Sequence, residues 1–299
     1  MKKELMAQLD PKSPISEIFR TLRTNIQFMS NNKRLKALLV TSTFPGEGKS
    51  WTTSNLAVTF AQAGKRVVLV DADMRKGRQY SIFGVSPKPG LSNLLAEIDD
   101  EKDVEEQILD YVQQTEVENL YIITAGNVPP NPSELLVSSQ MSTVLQGLKQ
   151  ICDIVIIDGT PCELVTDSVI LSRIVDATII VTAYKQTKKD ALQRIVKNIK
   201  NVGGKVAGVI VNKVPTSSKK YGEKYYYYGN ETLPVVSKKN QDDITRRAVN
   251  QARRNEVDNR HKETDEIKRN TNTSEDANSK TNDILKQINS YLENEKKDL

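Results

Sequence analysis

The chain has 299 residues, of which 37% are hydrophobic, with 43 Lys and Arg against 38 Asp and Glu for a net charge of +5. That content supports one α/β domain with appendages, and the modest positive excess makes no nucleic-acid footprint. A single histidine, His261, excludes histidine-based acid–base or zinc chemistry as the core mechanism; the two cysteines, Cys152 and Cys162, lack metal-site spacing and read as buried, reduced thiols. The first predicted element is a helix over residues 14–29, where Ile15, Ile18, Phe19, Leu22, Ile26 and Met29 recur at helical spacing and Ser13 or Ser16 can cap the start. Glu17, Arg20 and Arg23 follow each other at intervals of three on this helix. Taken alone they read as a solvated face with one ion pair, worth under ~1 kcal/mol.

Next comes a short buried strand, Leu38–Val40, then Thr41-Ser-Thr-Phe-Pro-Gly-Glu-Gly-Lys-Ser50, then a helix from Trp51 to Ala63 closed by Gly64. Strand, glycine loop and helix are the setting of a phosphate loop. Gly46 and Gly48 let the backbone approach phosphate, and the free amides at the helix start favour an anion. The segment Pro45, Gly46, Glu47, Gly48, Lys49, Ser50 and Trp51 is therefore the expected ATP site, with Lys49 on the β- and γ-phosphates and the Ser50 hydroxyl on magnesium. Thr43 stands where glycine usually opens the pattern, which makes the loop a variant.

Two apolar strands then end in carboxylates: Arg66 to Arg75 carries Asp71 and Asp73, and Asp153 to Pro161 carries Asp158. Unbroken Val/Ile runs belong to parallel strands buried on both faces, and ligands of such sheets collect at the strands' carboxyl ends. The three aspartates are expected beside the loop, where hard oxygens suit magnesium. Further strands are read at 119–124, 177–182 and 205–212, and helices at 132–151, 167–175 and 188–202. The alternation predicts a doubly wound, mostly parallel sheet with helices on both faces, of the P-loop NTPase type.

Beyond the last strand, Tyr221, Tyr225, Tyr226, Tyr227 and Tyr228 account for five of the ten tyrosines and stand among lysines and glycines. They follow Pro215 and the final strand, which favours phosphoacceptors over a buried aromatic strand or a base-stacking platform. From residue 231 onward the chain is polar, with 14 Lys/Arg and 14 Asp/Glu, and reads as a partly disordered C-terminal extension with short helices possible at 243–252 and 283–292. The expected organisation is 1–36, an N-terminal helical segment (an oligomerisation segment by the resemblance given below); 37–214, the P-loop domain; 215–230, the tyrosine cluster; and 231–299, the extension. No stretch approaches ~18 apolar residues and the start lacks the apolar core of a signal peptide, so the expectation is a cytoplasmic chain.

The strand Leu-Val-Asp-Ala-Asp resembles that of the septum-positioning and chromosome-partitioning ATPases, but Phe44 stands where those carry a signature lysine. Phe-Pro-Gly-Glu-Gly-Lys-Ser at 44–50, Glu17-Ile-Phe-Arg-Thr-Leu-Arg23, Asp71-Ala-Asp-Met-Arg75, the proline-rich 126–136, Val165-Thr-Asp167 and the tyrosine cluster are together similar to the bacterial tyrosine kinases that regulate capsule and exopolysaccharide synthesis, across residues 5–230. Cys162 departs from them, since kin often have proline there. The resemblance implies an autokinase that uses ATP and Mg2+, with Lys49, Asp71, Asp73 and Asp158 catalytic. Within that set Ser50, Asp73 and Asp158 would serve the metal, and Asp71 would be base or orienter for the attacking phenol. It also implies a ring-shaped homo-oligomer contacted through Glu17, Arg20 and Arg23. Its expected partners are the cytoplasmic end of a separate transmembrane activator, which recruits it to the inner face of the membrane, and a cognate tyrosine phosphatase. The rival readings are an ATPase switch of the partitioning class and a nucleotide-binding scaffold.

Overall fold

A computed structural model describes residues 4–29, 35–99 and 101–215. The tyrosine cluster and the extension after it lie outside the described residues. In chain order the elements are α1 (Met6–Leu9), α2 (Pro14–Phe28), β1 (Ala37–Ser42), α3 (Lys49–Gln62), β2 (Val67–Asp71), α4 (Gln79–Phe83), α5 (Leu91–Glu97), α6 (Val104–Leu109), β3 (Gln113–Gln114) and β4 (Leu120–Ile123). There follow α7 (Pro132–Val137), α8 (Ser139–Ile151), β5 (Ile154–Pro161), α9 (Asp167–Ser172), β6 (Ala177–Ala183), α10 (Lys189–Asn201) and β7 (Val206–Asn212).

The strands form one sheet in the order β3-β4-β2-β5-β1-β6-β7. Every pairing is parallel except that of the two-residue edge strand β3 with β4. Alternate residues of each central strand enter different cores, because successive side chains point to opposite faces. Leu38 and Val40, Val67 and Leu69, and Ile154 and Ile156 pack with α1–α4 on one face. Leu39, Val68, Val70, Val155 and Ile157 pack with α5, α8 and α9 on the other. The predicted doubly wound sheet with helices on both faces is therefore present.

Helix α3 is buried nearly all round, from Thr52 to Ala61, because the sheet covers one side and α1 and α2 the other. Asn55 ties this arrangement together: its Oδ1 accepts from Ala7 N at 2.9 Å and its Nδ2 donates to the Glu4 carbonyl at 2.9 Å. Helix α2 starts as expected at Ser13, whose Oγ accepts from Ser16 N at 3.2 Å. One expectation needs correction: the single helix over 132–151 is two helices. Ser138 is extended (φ −63°, ψ 159°) and its Oγ donates to the Leu135 carbonyl at 2.7 Å, so the hydroxyl supplies a local partner where the helix stops.

Candidate active site

The site follows from strand order. β2, β5 and β1 are consecutive neighbours, so their carboxyl ends lie side by side. Asp158 of β5 is in register with Asp71 of β2 and with Val40 of β1. The loop that follows β1 thus arrives directly over both aspartates, where an open parallel sheet gathers its ligand groups.

Two glycines shape that loop. Gly46 and Gly48 have φ of +78° and +95°, conformations that L side chains seldom adopt, and a Cβ on Gly48 would fall 2.1 Å from Asn212 Nδ2. Glu47, only 4% exposed, anchors the loop from within. Its Oε2 accepts from Phe44 N at 2.8 Å, its Oε1 accepts from the Thr187 hydroxyl, and its carbonyl accepts from Asn212 Nδ2 at 2.8 Å. Pro45 and Gly46 are exposed, so the backbone there faces outward for an incoming phosphate. The Trp51 ring packs edge-on against Phe19, 5.2 Å between centroids, so any part it takes at the nucleotide falls to its backbone.

Lys49 is buried and lies at the centre. Its Nζ donates to Asp158 Oδ1 at 2.7 Å and to Ser50 Oγ at 3.2 Å, and stands 3.9 Å from Asp73 Oδ2. Thr53 Oγ1, one turn along α3, also donates to Asp158 Oδ1 at 3.2 Å. Asp71 is fully buried; Oδ1 accepts from Asp73 N, and Oδ2 from Arg78 N and Gln79 N. Burial, with the Asp158 charge next, pushes the Asp71 carboxyl up to about 7. Asp73 is the most exposed of the three aspartates at 9%, and burial raises its carboxyl as well.

These residues fit a nucleotide and its magnesium. Lys49 is a cation beside a glycine loop of positive φ, and Thr43 Oγ1 is a buried hydroxyl with no partner at the loop's start. Among the described residues no group of three or more His, Cys, Asp or Glu is arranged to hold a metal by itself. Magnesium takes one or two carboxylates and completes its shell with phosphate and water, and Ser50, Asp73 and Asp158 would offer it oxygens here.

Two linkages were not foreseen from sequence. Gln79 Nε2 donates to Asp158 Oδ2 at 2.7 Å, and a lone glutamine carries no motif that would reveal this. Arg75 Nε donates to the buried Asp167 Oδ2 at 2.9 Å, and Ser133 Oγ donates to Asp167 Oδ1 at 2.5 Å. These bonds join the second aspartate motif, the proline-rich segment and the Val-Thr-Asp stretch, all visible as separate motifs. On α2, Arg20 Nη1 donates to Glu17 Oε2 at 2.6 Å, as expected of one intrahelical pair. Arg23 instead donates to the Thr59 carbonyl of α3 at 2.8 Å, so it engages the chain's own core. Both cysteines are buried and unpaired, as read.

Residues 36–210 match the family described as AAA domain. The tyrosine-protein kinase YwqD of Bacillus subtilis is 37% identical over 77% of this chain and 93% of its own length. CapB of Staphylococcus aureus, provisionally named a tyrosine-protein kinase, is 39% identical over 74% of this chain and 93% of its own. The solved BceF tyrosine kinase domain superposes with a TM-score of 0.63 at 38% identity, covering 71% of this chain and 82% of that one. With this fold, this phosphate loop and these relatives, the chain belongs to the bacterial tyrosine-protein kinase family built on the P-loop AAA-type domain.

Proposed function

We propose that the chain is an ATP- and magnesium-dependent tyrosine autokinase that transfers the γ-phosphoryl group to Tyr221 and Tyr225–Tyr228 of a neighbouring copy. The observation that carries this reading is the gathering of Lys49, Asp71, Asp73 and Asp158 at the ends of three adjacent strands, in a chain whose relatives are named tyrosine kinases. A phenol ionises near pH ~10 and is a weak nucleophile at neutral pH. Asp71, at the carboxyl end of β2 beside Asp158, is the group that the resemblance names as base or orienter for that phenol. In the transfer the phenol oxygen bonds to the γ-phosphorus, its proton passes to the carboxylate, and the bond to the leaving ADP oxygen breaks. Lys49 offsets the charge that develops on the phosphoryl oxygens, and Gly46 and Gly48 let backbone amides share that task. Magnesium, when bound, would neutralise the phosphates from a place beside Ser50, Asp73 and Asp158.

The resemblance extends the proposal to regulation of capsular or exopolysaccharide synthesis. It also supports a ring held partly through Glu17, Arg20 and Arg23, activation by the cytoplasmic end of a separate membrane protein, and reversal by a tyrosine phosphatase. Transfer between copies has a direct test. A Lys49→Met chain with all its tyrosines is mixed with an active chain whose five cluster tyrosines are phenylalanine, with Mg-ATP and the activator segment. The proposal expects phosphotyrosine on the Lys49→Met chain. An unmodified Lys49→Met chain, beside wild type that phosphorylates its own cluster under the same conditions, would contradict transfer to a neighbour.

A further inference from the structure

Gln79 is the first residue of α4, far in sequence from the phosphate loop, yet it has no exposed surface and bonds to Asp71, Asp158, Ser50 and Ser54. Its backbone N donates to Asp71 Oδ2 at 2.9 Å. Its Nε2 donates to Asp158 Oδ2 at 2.7 Å and to the Ser50 carbonyl at 3.2 Å, while its Oε1 accepts from Ser54 Oγ at 2.8 Å. The orientation of the amide is fixed by chemistry. A carboxylate oxygen and a carbonyl only accept, so both hydrogens of the NH2 group have assigned places and a flipped amide would set oxygen against oxygen.

Asp158 is thereby held from both ends. Oδ1 accepts from Lys49 and Thr53, and Oδ2 accepts from Gln79. We infer that Gln79 is a positioning residue that fixes the plane of the Asp158 carboxylate and locks β2, β5 and the first turn of α3 into one geometry for phosphoryl transfer. It touches neither phosphate nor phenol in this role; it acts through Asp158 and the Ser50 backbone. A displaced Asp158 carboxylate would misalign Lys49 and the metal against the γ-phosphoryl group, whereas ADP without magnesium still meets the loop amides, so the amide matters to turnover more than to the affinity for magnesium-free ADP.

The inference rests on the kinase reading, and the experiment separates the two. Full-length wild type, Gln79→Met and Gln79→Glu are compared with Mg-ATP and the activator segment, following phosphotyrosine formation, ATP hydrolysis, ADP affinity and Tm. Methionine keeps the length and removes both donors; glutamate keeps the shape and replaces donor by acceptor. The expected result is a kcat at least tenfold lower in both variants, with the Kd of Gln79→Met for ADP, measured without magnesium, within about threefold of wild type. If Gln79→Met fails to fold, Gln79→Glu decides. Wild-type kcat in a folded variant overturns the inference, and so does a parallel loss of kcat and ADP affinity, since a merely structural role predicts one or the other. Wild type that hydrolyses ATP without phosphorylating tyrosine overturns the kinase reading, and the Gln79 effect is then read on hydrolysis.

Discussion

Asp71 and Asp73 have been treated as a pair in the sequence, but the fold gives them different surroundings. Asp71 is enclosed and bonded to three backbone amides, whereas Asp73 keeps some exposure and faces Lys49 at 3.9 Å. A base and a metal-holding residue separate on binding: Asp71→Asn is expected to abolish transfer with Mg-ADP affinity within about threefold, and Asp73→Asn to weaken Mg-ADP about tenfold or more. Isothermal titration calorimetry on the two variants checks this; the opposite pattern exchanges their roles. The cysteines give a second prediction at this scale. Burial pushes both thiols up to about 11, so little thiolate exists at pH 8. A disulfide reagent at that pH should label the native protein far more slowly than protein unfolded in guanidinium, where both thiols react within minutes. Sequence made the motif residues legible because phosphate and metal chemistry demands particular residue types at fixed spacing. Gln79, Thr53 and Thr187 were not legible, since a single polar residue acquires its role only through what folds next to it.

At the scale of elements, the central strands could be read because a strand buried on both faces must be almost wholly apolar, as 38–40, 67–70 and 154–157 are, and the half-exposed β7 was legible from its valines and isoleucine. β3 has two glutamines and no such signature, and the break at Ser138 has neither glycine nor proline to mark it. The same core makes a stability prediction: Ile156→Ala, at a fully buried position in β5, should cost about 2–5 kcal/mol in denaturant unfolding. The loop itself depends on elements far along the chain. Glu47 is held by Thr187, between β6 and α10, and by Asn212 at the end of β7. Glu47→Ala keeps the carbonyl that Asn212 bonds but leaves the Thr187 hydroxyl and Phe44 N without their acceptor, and an unsatisfied buried group costs about 1–3 kcal/mol. Nucleotide affinity should therefore fall about tenfold while the far-ultraviolet circular dichroism stays unchanged. An unaltered Kd would show that the loop holds its shape without this anchor.

For the whole molecule, α1 and α2 share a core with α3 through Leu5, Ala7, Phe19 and Ile26, so the N-terminal segment is packed on the domain it precedes. Arg23 reaches Thr59 of that core, whereas Arg20 pairs with Glu17 at a half-exposed site. Arg20 is consequently the cleaner probe of assembly: Arg20→Ala should lower the mass measured by light scattering with little change in Tm, and an unchanged mass would remove Arg20 from the interface. Each phosphotyrosine adds roughly −1.5 to −2 charges, so under the assembly proposed above the phosphorylated protein is expected to sediment as smaller species than the unphosphorylated one. Among the described residues no helix is long and apolar enough to cross a membrane. The measurement that bears most directly on the central claim is a phosphosite map by mass spectrometry after incubation with Mg-ATP, with and without an activator segment, for wild type beside Lys49→Met. The account predicts phosphate on Tyr225–Tyr228 that disappears in the Lys49→Met chain. ATP hydrolysis with unmodified tyrosines in every condition would contradict it and place the protein with the ATPase switches.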